Sequence, residues 1–142
     1  MTDVFSKEER SRIMARVRGS NTTPELIVRS LLHRLGLRFR LHRKDIPGRP
    51  DIVLPKYKTI IFVHGCFWHQ HVGCKAAERP SSNVGYWNKK LDNNISRDNT
   101  NKTILEELGW KVFIIWECET KYEDILKRRM FDWFNLSNGY SP

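Results

Sequence analysis

The sequence predicts a mixed α/β domain with a central sheet. Three observations carry this. Two helical periodicities enclose a pair of β-rich runs. A third, strongly apolar β-rich run follows the second helix. A last amphipathic pattern closes the chain. At 142 residues the chain can bury one sizeable core. We divide it into a basic N-terminal arm, residues 1–20, and a single domain, residues 21–142.

In the arm, Ser6 and Glu9 have capping-box spacing, so a short helix is expected from near Lys7. It carries Arg10, Arg12, Arg16 and Arg18 and few core residues, which suits either a solvated arm or a clamp that orders on a phosphate backbone. "SNTTPELIVRSLLHRLG" is the first firm helix. Thr22 or Thr23 caps it, Pro24 lies in its first turn and Gly36 ends it. Ile27, Val28, Leu31, Leu32 and Leu35 form its buried stripe. Glu25 in the first turn favours the helix dipole and can also face a metal. "LRFRLHR" alternates as a strand, with Arg38, Arg40 and His42 on its wet face.

"GRPDIVLP" and "KTIIFVHG" read as a hairpin turning at Lys56 and Tyr57. A long helix follows from Val84 to Leu108, with Trp87, Leu91, Ile95, Leu105 and Leu108 in its stripe and Gly109 as its stop. "WKVFIIWEC" is a buried strand. Tyr122, Ile125, Leu126, Met130, Trp133 and Phe134 then mark a last helix. No internal repeat or low-complexity tract interrupts this order.

Charge narrows the function. The formal net charge is +9, from 25 Lys and Arg against 16 Asp and Glu, and this favours a polyanionic partner such as nucleic acid. The N-terminus is charged at once, unlike a signal peptide, and no apolar run is long enough for a bilayer. A cytoplasmic location with no membrane partner is therefore expected, and there the three cysteines stay reduced.

The chemistry gathers in "FVHGCFWHQHVGC", Phe62 to Cys74. Cys66, His71 and Cys74 lie in one loop and Cys118 follows the last strand, a donor set that closes a tetrahedral structural zinc site. His64 and His69 remain, and Asp51 supplies a carboxylate. If Leu54 pairs with Ile60, Asp51 falls opposite Val63 and beside His64. A carboxylate, the Val63 carbonyl and a histidine suit magnesium shared with a phosphate. Asp98 sits on the apolar stripe of its helix, so it needs a partner. That partner is an arginine or, as for a catalytic base, the imidazole of His69. Phe67 and Trp68 are core in the plain reading; in a basic protein they can instead wedge between base pairs.

"PGRPDIV", "FVHGCFWHQH", "YWNKKLDNNISRD" and "LGWKVFIIWECE" together resemble the very short patch repair endonucleases, the Vsr family, in order from about Arg10 to Glu119. The resemblance implies a restriction-endonuclease-like fold. It implies a magnesium-dependent DNA repair enzyme that nicks one strand 5′ of the thymine in a T·G mismatch left by 5-methylcytosine deamination. Asp51 would be the central magnesium ligand for one or two ions, with the Val63 carbonyl beside it and Glu25 reaching the metal through water. His69, supported by Asp98, would handle the proton of the attacking water, and His64 would help at the phosphate. Cys66, His71, Cys74 and Cys118 would hold one zinc. Phe67, Trp68 and Trp87 would enter the duplex, and the arginine-rich arm would embrace it, with other repair proteins as further partners of a monomer. Two residues depart from the family pattern. Valine stands at Val63 in place of threonine, and Cys74 comes one residue late, so the zinc loop has its own shape. The alternatives from the residues are a restriction-type endonuclease cutting matched DNA and a non-catalytic zinc-dependent DNA-binding module.

Overall fold

The computed structural model describes residues 22–136. The expected arm helix, with Arg10, Arg12, Arg16 and Arg18, lies outside the described residues. The elements are α1 (Thr23–Arg34), β1 (Arg40–Leu41), β2 (Ile52–Leu54), β3 (Thr59–His64), α2 (Val84–Glu107), β4 (Lys111–Trp116) and α3 (Glu123–Trp133), with short 3-10 turns between them. The strands form one mixed sheet in the order β1-β2-β3-β4, with β1-β2 and β2-β3 antiparallel and β3-β4 parallel. A parallel pair needs a long crossover, and α2 supplies it.

Period-two alternation sorts the strand residues onto two faces. Ile52, Leu54, Ile61, Phe113 and Ile115 point to one face. There they pack with Val28, Leu31 and Leu32 of α1 and Leu126, Met130 and Phe134 at α3. Val53, Ile60 and Val112 point to the other face and meet Leu105 of α2 and Ile46. The sheet is therefore covered on both sides by helices. α1 starts as its sequence requires, with the Thr22 hydroxyl accepting from the Glu25 N–H at 3.4 Å. α2 stops at Gly109, whose φ of +95° few other residues adopt without strain.

Three expectations need correction. The hairpin pairs Leu54 with Thr59, Val53 with Ile60 and Ile52 with Ile61, one residue from the expected register. The connection is longer than two residues, because Pro55–Tyr57 forms a 3-10 turn and Lys58 takes a left-handed conformation to close it. The strand expected over residues 37–42 shrinks to Arg40–Leu41, and Leu41 is exposed. His42 ends it by turning to φ +47°. Finally, Leu108, Tyr122 and Ile125, expected on buried stripes, are each more than 60% exposed. They stand at helix ends, where the core they would join has already run out.

Candidate active site

A cleft of about 870 Å³ opens between the N-terminus of α1, the ends of β2 and β3, the loop after β3 and one face of α2. Gly48 lets the chain turn against α2 there. Its φ is +82°, and a Cβ would meet the Asn101 side chain at 3.2 Å.

Glu25 and Asp51 line this cleft and converge with His42, their donor atoms within 4.8 Å of one another. Glu25 is only 2% exposed. Its carboxylate is compensated by Arg29 Nη2 at 3.0 Å and His42 Nε2 at 2.6 Å. The His42 N–H donates to the Asp51 carbonyl at 3.2 Å, prolonging the β1-β2 ladder past its last pair. Asp51 lies one residue beyond the paired part of β2, so the register slip does not remove it from Val63. Its Oδ2 accepts from the Val63 N–H at 2.8 Å. Burial pushes its carboxyl up to about 6, against the pull of that N–H, and the neighbouring Glu25 charge adds to the rise.

His64, His69 and Asp98 form a second group. The two imidazoles stack at 3.8 Å with their planes 6° apart. His69 Nδ1 is 2.7 Å from Asp98 Oδ2, so of the two partners left open for that carboxylate the structure supplies the imidazole. His64 is buried and its Nδ1 has no hydrogen-bond partner among the described residues. Burial and the adjacent His69 lower its pKa to about 3, which keeps it neutral.

Cys66, His71, Cys74 and Cys118 also converge with their donor atoms within 4.8 Å. His71 Nδ1 is 3.7 Å from Cys66 Sγ and 3.5 Å from Cys118 Sγ, and its ring stacks on Trp116 at 4.2 Å. Burial raises the Cys66 thiol to about 12 and raises Cys118 as well.

Phe67, Trp68 and Trp87 touch one another, with ring centroids 5.2–5.9 Å apart. All three are half-buried and none joins either core cluster. The plain reading of Phe67 and Trp68 as core therefore does not describe them.

Sequence reasoning missed several neighbours of this cleft. Alternation puts His42 on the wet face of a strand, because the turn at φ +47° that swings it onto Glu25 has no signal in the pattern. Arg29 has only its i,i+4 spacing from Glu25 to mark it in the sequence. Arg49, Lys90, Arg97 and Lys102 also line the cleft. Lys90 and Arg97, seven residues apart, fall on one face of α2, a spacing visible in the sequence.

Paired carboxylates and ordered imidazoles in an open cleft that also carries arginine and lysine side chains define the class of site that performs hydrolysis on an anionic substrate. Comparison with known proteins makes this specific. The family model described as DNA mismatch endonuclease Vsr matches residues 2–75. The chain is 48% identical over 130 residues to the type II nicking enzyme V.XorIIP of Xanthomonas oryzae pv. oryzae, covering 92% of this chain and 95% of that protein. It is 44% identical over 130 residues to the type II nicking enzyme V.NmeAIP of Neisseria meningitidis serogroup A, covering 92% of each. It is 38% identical over 138 residues to the DNA mismatch endonuclease Vsr of Escherichia coli, covering 94% of this chain and 88% of that protein. The chain belongs to the Vsr family of DNA mismatch endonucleases.

Proposed function

We propose that this endonuclease nicks one strand of double-stranded DNA 5′ of the thymine in a T·G mismatch, with magnesium in the carboxylate pocket and zinc in the thiolate loop. The fold we assign to it is restriction-endonuclease-like. One observation carries the reading. Glu25 and Asp51, the His64/His69/Asp98 group and the rings of Phe67 and Trp68 all border one cleft in a strongly basic chain.

Both metals pass a test of fit. Burial, and then the Glu25 charge, hold the Asp51 carboxyl near 6, and a divalent cation would favour its ionised form. Asp51 would bind it directly, with Glu25 and the Val63 carbonyl beside it. In the loop, three sulfurs and one imidazole nitrogen make a closed four-donor set, and thiols held protonated by burial ionise readily only against a cation. Cys66, His71, Cys74 and Cys118 would hold zinc. A magnesium ion held there would supply positive charge toward the phosphate and lower the pKa of water near it.

The chain's own residues do the rest. The Val63 N–H fixes the Asp51 carboxylate. Asp98 holds His69 through Nδ1, leaving Nε2 to exchange a proton with the attacking water and stabilising the imidazolium that results. His64, kept neutral, restricts His69 by stacking and offers a ring nitrogen to the phosphate.

The test is nicking of a T·G duplex by Asp51→Ala. Nicking is lost while duplex affinity stays within a few-fold of the parent or improves as a negative charge leaves the phosphate. Near-normal magnesium-dependent nicking by this variant refutes the assignment. Cutting of both strands of a matched duplex by the parent enzyme refutes the mismatch reading.

A further inference from the structure

Arg79 follows the thiolate loop and does not line the cleft. Its guanidinium nevertheless reaches three acceptors on two parts of the chain. Nε donates to Gln70 Oε1 at 2.9 Å, Nη1 to Asn88 Oδ1 at 2.9 Å and Nη2 to Asp92 Oδ1 at 2.8 Å. Asn88 and Asp92 are one turn apart on α2. Gln70 belongs to the loop. Its amide nitrogen donates to the Phe67 carbonyl at 2.7 Å and the Ala77 carbonyl at 3.0 Å. Gln70 also has φ +52°, a conformation that a glutamine keeps only when its surroundings hold it.

The loop is thus tied to α2 at three successive residues. Phe67 is tied through Gln70 and Arg79. The Trp68 carbonyl accepts from Asn94 Nδ2 at 3.0 Å, and His69 is bonded to Asp98. Zinc on the cysteine cluster would do something else, because Cys118 would then anchor the same loop to the turn after β4. The aromatic group straddles the joint that Arg79 bridges, since Phe67 and Trp68 come from the loop and Trp87 from α2.

We propose that Arg79 is a positioning residue for mismatch recognition, setting the pose of Phe67 and Trp68 against Trp87 through Gln70. This rests on the reading of those rings as the wedge that enters the duplex. Unstacking a base step costs free energy, and a wedge that must also be ordered on binding adds that cost to every specific complex. Matched duplexes, which do not admit the wedge, bypass the cost. The arginine is specific to the task. Its planar fork meets three acceptors in fixed directions, whereas a lysine is a point charge on a flexible stem. The ion pair to Asp92 is solvent-exposed and contributes little by itself, so the bond to half-buried Gln70 is the decisive one.

The experiment compares the parent protein, Arg79→Met, Arg79→Lys and Trp68→Ala, each carrying its zinc. Affinities are measured at fixed salt for a T·G duplex pool with randomised flanking bases and for the same pool with T·A. Backbone amide exchange of residues 67–71 is followed in the free proteins. We expect Arg79→Met to keep the parent's zinc content and unfolding midpoint. Its T·G to T·A affinity ratio should fall about five- to tenfold, the scale of one net hydrogen bond. Amide exchange over residues 67–71 should rise by a similar factor, and Arg79→Lys should behave like Arg79→Met. A lowered ratio for Trp68→Ala with an unchanged ratio for Arg79→Met overturns the role of Arg79 alone. An unchanged ratio for Trp68→Ala overturns the wedge and the recognition role together. Unchanged exchange in free Arg79→Met, full recovery by lysine, or loss of zinc from Arg79→Met also overturns the proposal.

Discussion

Replacing Asp51 by asparagine stabilises the folded chain in magnesium-free buffer above pH 7 and leaves its stability nearly unchanged at pH 4. Burial and the Glu25 charge hold the Asp51 carboxyl at about 6 in the folded chain, against an ordinary 3.8. Between those two values the folded state binds more protons than the unfolded state, so stability falls as pH rises through this window. Above it, ionised Asp51 costs the fold up to about 3 kcal/mol, at about 1.4 kcal/mol for each pH unit between the two values. Asparagine removes the charge and still offers an oxygen to the Val63 N–H. Burying its amide recovers less than the full cost, so the expected gain is about 1–3 kcal/mol at pH 8. With a urea slope of about 1–3 kcal/mol/M, this moves the unfolding midpoint by about 1 M. His64 works in the opposite sense, because its folded pKa near 3 lies below the ordinary 6.5 and its contribution is lost as pH falls through that range. Comparing the variant with the parent at each pH cancels the His64 effect. The assay is urea unfolding from pH 4 to pH 8 with zinc retained and magnesium absent. A variant no more stable than the parent at pH 8, or a gain that does not shrink below pH 6, refutes the argument. Bound magnesium should reverse the sign, since the parent then gains a ligand that the asparagine variant holds poorly.

Three further outcomes are expected. Asp98→Asn, which loses the charge that orients His69, should lower the nicking rate by about 10²–10⁴ while T·G duplex affinity, measured in calcium, changes less than threefold; an equal loss in both would make Asp98 a binding or folding residue. Cys118→Ser should lose its bound metal and its cooperative thermal transition, because with zinc bound this residue would tie the loop to the turn after β4, and elemental analysis finding one zinc per folded variant chain would contradict this. Arg16→Ala should weaken T·G and matched duplexes alike and reduce the slope of log affinity against log salt by about 1; a change confined to the T·G duplex would place Arg16 at the mismatch.

The sequence by itself determined the order of elements, the identity of the cleft's principal residues and the family. Those properties follow from local patterns. Apolar β-rich runs marked β3 and β4, a 3.6-residue stripe marked α1 and α2, and the string from Phe62 to Cys74 set histidines and cysteines at fixed spacing. Even the need of Asp98 for a partner was legible, since a carboxylate on an apolar stripe cannot stay unpaired. Tertiary structure decided where backbone turns redirect side chains. The left-handed residues Lys58 and His42 shifted the hairpin register and swung an imidazole onto Glu25. Neither event has a periodic signature, because asparagine and glycine, which usually announce positive φ, are absent from both positions. The Arg79 fork was equally invisible. It joins Gln70, Asn88 and Asp92 across a joint between loop and helix, and only the packed chain brings those three acceptors within reach of one guanidinium.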